Sequence, residues 1–202
     1  CTNNRKTDYQ FAAPVTAWDE NSNKAHWRNA PKDQPFFSVF NIGTTHESQL
    51  WKKSDLPLTV NPKDVKVPPY FPDNEVSRNT IARHYSNIEL MDAEVGAFIQ
   101  QLKDDGLYDN TIVFFYSDHG GPLPRQKREI YDSGLKVPFM IKGLAEKGRT
   151  DRMISFVDLA PTMLSLAGIE PPEYLEGHAF LGEFESKKRE YIFGSSDRFD
   201  EF

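Results

Sequence analysis

The chain has 202 residues, 38% of them hydrophobic and 27% charged, which is enough for one globular domain with a buried core. Its 24 Lys and Arg against 30 Asp and Glu give a net charge of −6, and this argues against nucleic acid as a partner because phosphate backbones attract a basic excess. A single cysteine excludes an internal disulfide and a cysteine-rich zinc site, and no apolar run approaches the ~20 residues that span a bilayer.

The first half of the chain predicts one strand and one long helix. Residues 1–34 are polar and weakly periodic, so we expect an irregular surface segment anchored by Trp18 and Trp27. A short buried strand is predicted over 36–42, followed by a proline-rich loop over 56–72. Apolar residues then recur at spacings of three and four, which predicts an amphipathic helix over 75–103.

The second half alternates between strands and helices. Strands are predicted over 111–117 and 137–142, a helix over 158–167 that stops at Gly168, and a last strand over 191–193. The run 111–117 is typical of a buried parallel strand because it is β-branched and aromatic. The alternation indicates an α/β fold, a mostly parallel sheet with helices on both faces.

A carboxylate and an imidazole follow the strand 111–117 directly, in the run SDHGG. In open α/β sheets, ligands gather outside the carboxyl ends of the strands. Carboxylate oxygens suit hard divalent cations, and imidazole suits zinc, manganese and iron. Asp118 and His119 are therefore candidate metal ligands, and the alternative is an aspartate that caps backbone amides beside a packed histidine.

Three segments resemble the sulfatase family within the alkaline-phosphatase-like hydrolases. They are the strand that ends in SDHG, the segment KREIYDSGLKVP over 127–138, and FVDLAPTMLSLAG over 156–168. With 35–46 included, the resemblance runs from 35 to 177. The residues around 121–125 are most similar to the heparan N-sulfatase-like branch.

The resemblance implies a single partial catalytic domain over 1–202, in which 178–202 begins a C-terminal part. It also implies that Asp118 and His119 complete a divalent-metal site. Calcium is common in the family, but many members have Asn where this chain has His119, so zinc and manganese stay open.

His46 and Lys127 match the family's catalytic positions. By resemblance, His46 lies beside the sulfate and assists the leaving group, whereas its alternative is a surface histidine bonded to Thr44 or Glu47. Lys127 would stabilise the substrate oxygens. Its flanking residues Arg125 and Arg128 are candidates for substrate binding, although a basic loop can be merely solvated.

Other polar residues fit other roles. Lys52 and Lys53 are candidates for contact with an anionic sugar. Asp92 is predicted to be a buried, hydrogen-bonded structural residue. His84 and His178 have no partners at metal-ligand spacing and are predicted to be structural or exposed.

Two expected family features are absent from the sequence: the Cys/Ser-x-Pro/Ala-x-Arg motif that yields formylglycine, and the paired aspartates of the first strand. We therefore expect truncation at both ends, with the formylglycine in a missing upstream region. This predicts an inactive isolated chain and an exposed sheet edge open to self-association. Family habit implies a secreted, periplasmic or lysosomal location.

The resemblance implies part of a metal-dependent sulfatase that hydrolyses sulfate esters or N-sulfates, with a sulfated glycan as the expected partner. His46, Asp118, His119 and Lys127 are expected to converge around one anion. Two alternatives remain: a phosphoester or phosphonate hydrolase of the same superfamily, and a non-catalytic remnant that binds a glycan or a partner protein.

Overall fold

The computed structural model describes residues 1–9, 11–144 and 147–195. It divides the chain into two compact units, Cys1–Tyr108 and Asp109–Phe202. Parallel strands and helices confirm the α/β class, while the single-domain organisation stays a prediction. In the described part of the chain, no helix is both long enough and apolar enough to cross a membrane.

The first unit contains a three-stranded parallel sheet whose central strand is β1 (Thr2–Asn4). Strand β1 pairs with β2 (Glu20–Asn21) on one side and β3 (Ser38–Phe40) on the other. The prediction that 1–34 is an irregular surface segment was therefore wrong for 2–4 and 20–21, which form strands, whereas the predicted anchor Trp27 is buried. Periodicity gave no indication of β1 because its three residues are polar, and their burial is supported by hydrogen bonds instead.

Asparagine side chains connect the carboxyl ends of these strands. Asn3 is 1% exposed, and its amide donates to the Lys6 carbonyl at 2.7 Å and to Asn21 Oδ1 at 3.0 Å. Asn41 Nδ2 donates to Asn3 Oδ1 at 3.2 Å. Because buried amides are costly unless they are paired, this network specifies the order of the three strands.

Two helices follow in the first unit, α1 (Gln49–Lys52) and α2 (Glu75–Asp104). The helix predicted over 75–103 is confirmed as α2. It begins where Asn74 Oδ1 accepts from Ser77 N, which is a standard N-cap. Gly106 follows its end with a φ of +70°, in the left-handed region that glycine adopts freely.

The buried face of α2 is more polar than its apolar stripe predicts. Arg83, Ser86 and Asn87 are buried together with Ile81 and Ala82. The Arg83 guanidinium donates to the Leu56 carbonyl, and Ser86 Oγ accepts the backbone N–H groups of Thr59 and Val60 at 3.1 and 3.2 Å. The helix thus holds the proline-rich loop by side-chain contacts to its backbone. Asp92 is exposed, so the prediction that it is buried was wrong.

Substitution of Ser86 by alanine is expected to destabilise the protein by about 1–3 kcal/mol, because two backbone N–H groups would lose their acceptor in a buried site. Thr80→Ala is the matched control. Both hydroxyls donate to the carbonyl four residues earlier at 2.8 Å, but only Ser86 has loop N–H donors among its contacts. Urea unfolding of both variants measures the difference, and equal losses would contradict this account.

The second unit contains a two-stranded antiparallel pair, β4 (Val113–Tyr116) and β5 (Phe139–Lys142). The prediction of a buried parallel strand over 111–117 was wrong in direction and depth, since β4 is antiparallel to β5 and only half-buried. The connection between them contains one short helix, α3 (Asp132–Leu135). Apolar composition does not encode direction, and parallel pairing needs a crossover connection that usually contains a full helix.

A 3₁₀ turn over Phe156–Asp158 leads into α4 (Leu159–Leu166), and Gly168 follows with a φ of +70°. This confirms the helix predicted over 158–167. The strand predicted over 191–193 was wrong: these residues form no strand, and Phe193 is 86% exposed. Aromatic residues favour strands, but a strand also requires a neighbouring strand with which to pair.

Candidate functional site

The loop after β4 carries Asp118 and His119 and is packed tightly against the residues around α3. Gly120 N donates to the Gly134 carbonyl at 2.8 Å. A Cβ at Gly120 would lie 1.8 Å from the Ser133 carbonyl oxygen, so only glycine fits. Ser117 Oγ donates to the His119 carbonyl at 2.7 Å and closes the turn.

The contacts of the His119 ring identify its tautomer. Nδ1 lies 2.7 Å from the Gly120 carbonyl oxygen, and because a carbonyl only accepts, Nδ1 carries the proton of the neutral ring. The Nε2 lone pair is then available 3.6 Å from Asp118 Oδ1. A metal-binding histidine commonly donates its other N–H to a backbone carbonyl in this way, so the pair fits a divalent cation.

The pair by itself does not complete a metal site. In residues 1–9, 11–144 and 147–195, no group of three or more His, Cys, Asp or Glu side chains is arranged to hold a metal. Divalent cations take four or more ligands in proteins. A metal site that includes Asp118 and His119 would therefore need ligands beyond this pair.

The predicted basic residues Arg125, Lys127 and Arg128 lie in the same unit as Asp118 and on the same connection between β4 and β5. Lys127 is half-buried, and its backbone N–H donates to the Gly121 carbonyl at 3.0 Å, which ties it to the loop of Asp118. Arg125 and Arg128 flank it with φ of +63° and +76°. Left-handed backbone is uncommon outside glycine and clusters at binding sites. The guanidinium of Arg125 lies 5.5 Å from the ring centre of Tyr131.

His46 lies in the first unit, just after β3, and is exposed. Its Nδ1 is 2.9 Å from Ser48 Oγ and accepts the Ser48 backbone N–H at 3.2 Å. The Thr44 hydroxyl instead donates to Glu94 Oε1 at 2.5 Å. The convergence of His46 with the residues of the second unit stays a prediction, as do the roles of Lys52 and Lys53.

Sequence reasoning did not consider Lys6, which follows β1 as His46 follows β3 and whose Nζ lies 3.6 Å from Asp8 Oδ2. The carboxyl ends of parallel strands meet at one edge of a sheet, so both residues follow strands that end at the same edge in the first unit. Lys6 was overlooked because β1 was not predicted. The short run TNN before the basic pair Arg5 and Lys6 was the available indication.

The other histidines have structural surroundings. Burial lowers the pKa of the half-buried His84, whose Nδ1 has no hydrogen-bond partner. His26 Nδ1 accepts the backbone N–H of Arg28 at 3.1 Å. His178 contacts Asp158 through its backbone N–H. These contacts fit the predicted structural roles of His84 and His178.

The comparisons with known proteins agree with one another on the family. The Sulfatase family model matches residues 16–169. An ulvan-active sulfatase of Formosa agariphila is 48% identical over 99% of this chain and 40% of its own length. The human N-sulphoglucosamine sulphohydrolase is 32% identical over 58% of this chain and 24% of its own length. An arylsulfatase of Clostridium perfringens is 26% identical over 94% of this chain and 46% of its own length. The chain thus spans less than half the length of each of these relatives.

Proposed function

Because this chain belongs to the sulfatase family, we propose that the protein containing it hydrolyses sulfate esters or N-sulfates of a sulfated glycan. The family in general uses a divalent metal and a formylglycine nucleophile. The observation that carries the proposal is the Asp118–His119 pair, in which a carboxylate oxygen and an available Nε2 lie 3.6 Å apart at the end of β4. The names of the similar proteins support a glycan as the substrate.

In the proposed mechanism, Asp118 and His119 would be two of the ligands that hold the divalent metal, and a bound metal would supply Lewis-acid polarisation of the sulfate. Lys127 places an ammonium against sulfate oxygens and stabilises the charge that develops there. Arg125 adds a guanidinium that binds anions through parallel N–H groups. His46 donates a hydrogen bond toward the leaving group.

The identity of the metal is part of the proposal. Calcium is common in the family, and the carboxylate of Asp118 suits it. The nitrogen ligand of His119 is better suited to zinc or manganese, and for this reason the second candidate function is a phosphoester or phosphonate hydrolase of the same superfamily. We propose calcium, and a secreted, periplasmic or lysosomal location. Self-association through a sheet edge stays a prediction.

Metal analysis of the complete gene product, with paired assays on an aryl sulfate and an aryl phosphate, tests the two functions. Metal-dependent turnover of the sulfate alone is the expected result. Preference for the phosphate would establish the second function, and a metal-free protein inert to both would overturn both.

Lys127→Ala is expected to lower kcat on the aryl sulfate about 100- to 1,000-fold, because one charge-stabilising donor is lost in the transition state. Lys136→Ala is the matched control, since Lys136 is an exposed lysine on the same connection between β4 and β5. Steady-state rates of both variants give the comparison. Equal rates for the two variants would contradict the role proposed for Lys127.

A further inference from the structure

We propose that Ser48 is a positioning residue that holds His46 in the tautomer with its proton on Nε2. The inference rests on the proposed function, because it concerns how His46 meets an anionic substrate. The contacts that carry it lie within one short segment of the first unit, between β3 and α1. The exposed imidazole is held there through its Nδ1.

Both polar groups of Ser48 face the same ring nitrogen. The backbone N–H of Ser48 lies 3.2 Å from His46 Nδ1, and a backbone N–H can only donate. Nδ1 must therefore offer its lone pair, so the proton of the neutral ring lies on Nε2.

The Ser48 hydroxyl is oriented to add a second donor. Gln49 Nε2 lies 3.3 Å from Ser48 Oγ, and because an amide nitrogen only donates, Oγ accepts there. The hydroxyl proton is then directed to His46 Nδ1 at 2.9 Å. Although Ser48 precedes α1, its side chain makes no helix-cap hydrogen bond, so the hydroxyl serves the imidazole and not the helix.

The two candidate histidines consequently present opposite groups at Nε2, a lone pair in His119 and an N–H in His46. His119 Nδ1 donates to a carbonyl and leaves Nε2 as a lone pair for a cation. His46 Nδ1 accepts from Ser48 and leaves Nε2–H as a donor, which suits the oxygens of a sulfate group or of a leaving alcohol or amine. A free imidazole would divide its population between tautomers and present the wrong one part of the time.

The ring state is measured directly by NMR on the complete gene product labelled with ¹⁵N-histidine, without substrate. The His46 signal is identified by its loss in His46→Gln. The expected result is a pyridine-type Nδ1 and a pyrrole-type Nε2. His26 is an internal reference, since it accepts a backbone N–H two residues on in the same way. A protonated Nδ1 in neutral His46 would overturn the proposal.

Substitutions separate the two donors. Ser48→Pro removes the N–H and the hydroxyl at a φ of −61°, which is within the range of proline. It is expected to mix the tautomers and lower kcat about tenfold, as loss of an orienting partner does elsewhere, with KM little changed. Ser48→Ala keeps the backbone N–H and should keep the tautomer. Ser48→Thr keeps both the N–H and a hydroxyl, and its kcat should equal that of the wild type. An unchanged ring in Ser48→Pro would refute the proposal. Because the NMR needs no turnover, it reports on Ser48 even if the sulfatase assay fails.

Discussion

Gly120→Ala is expected to abolish tight divalent-cation binding and to lower kcat/KM on an aryl sulfate about 100-fold, the usual cost of misplacing a catalytic group by ~1 Å. The added Cβ would meet the Ser133 carbonyl oxygen at 1.8 Å. The two atoms must move apart by about 1.2 Å to reach 3.0 Å, below which Cβ contacts are essentially never found. Asp118 and His119 directly precede Gly120, so the loop that carries them would have to move with it. The hydrogen bond from Gly120 N to the Gly134 carbonyl holds the two segments together in the wild type.

Gly96→Ala is the control for this substitution. A Cβ at Gly96 meets nothing within 4 Å, and Gly96 lies inside α2, where alanine is favoured over glycine by about 1 kcal/mol. This variant should be slightly more stable and should bind the cation normally. Calorimetric titration with Ca²⁺ and with Mn²⁺ measures binding apart from catalysis. Normal affinity in Gly120→Ala would show that the loop does not depend on the close approach of Gly120 to Ser133.

Asp158→Asn is expected to destabilise the protein by about 3–5 kcal/mol, the range for breaking a buried ion pair. Asp158 is 1% exposed, and its Oδ1 accepts from Arg189 Nη2 at 2.6 Å and from His178 N at 2.7 Å. Its Oδ2 accepts from Ser155 N at 2.9 Å. The amide would leave the guanidinium of Arg189 without its anion in a largely buried setting.

The same carboxylate should make stability depend on pH. Burial by itself would raise the pKa of Asp158, but the hydrogen bonds from Arg189 and from the backbone of His178 and Ser155 outweigh it and hold the pKa below 3.8. The folded state therefore binds the proton less readily than the unfolded state. The stabilisation is present above the unfolded pKa, near ~4, and is lost as the pH falls through the lower folded pKa.

Urea unfolding between pH 7 and pH 2 tests both statements. The free energy of unfolding of the wild type should fall below about pH 4. That of Asp158→Asn should be lower at pH 7 and should change less with pH. Asp73→Asn is the control, because Asp73 pairs with Arg78 at the surface and such pairs contribute little. Parallel curves for the wild type and Asp158→Asn would contradict the assigned role of this carboxylate.

The elements predicted correctly are those whose evidence lies in neighbouring residues. Helix α2 was predicted to within one residue because its periodicity and the glycine that ends it, Gly106, are both local. The same holds for α4 and Gly168. The loop of Asp118 and His119 was found because an apolar run stops abruptly at two polar ligands and two glycines.

The sequence by itself thus determined the family, the two principal helices and the Asp118–His119 loop, because capping, helical period and short motifs act between residues that are close along the chain. Only the tertiary structure decided that the polar run Thr2–Asn4 is a central strand, that β4 and β5 are antiparallel, and how Ser48 meets the His46 ring. Strand direction, the pairing of buried polar groups and the tautomer of a histidine depend on which atoms meet in space. Hydropathy and spacing along the chain do not report these contacts.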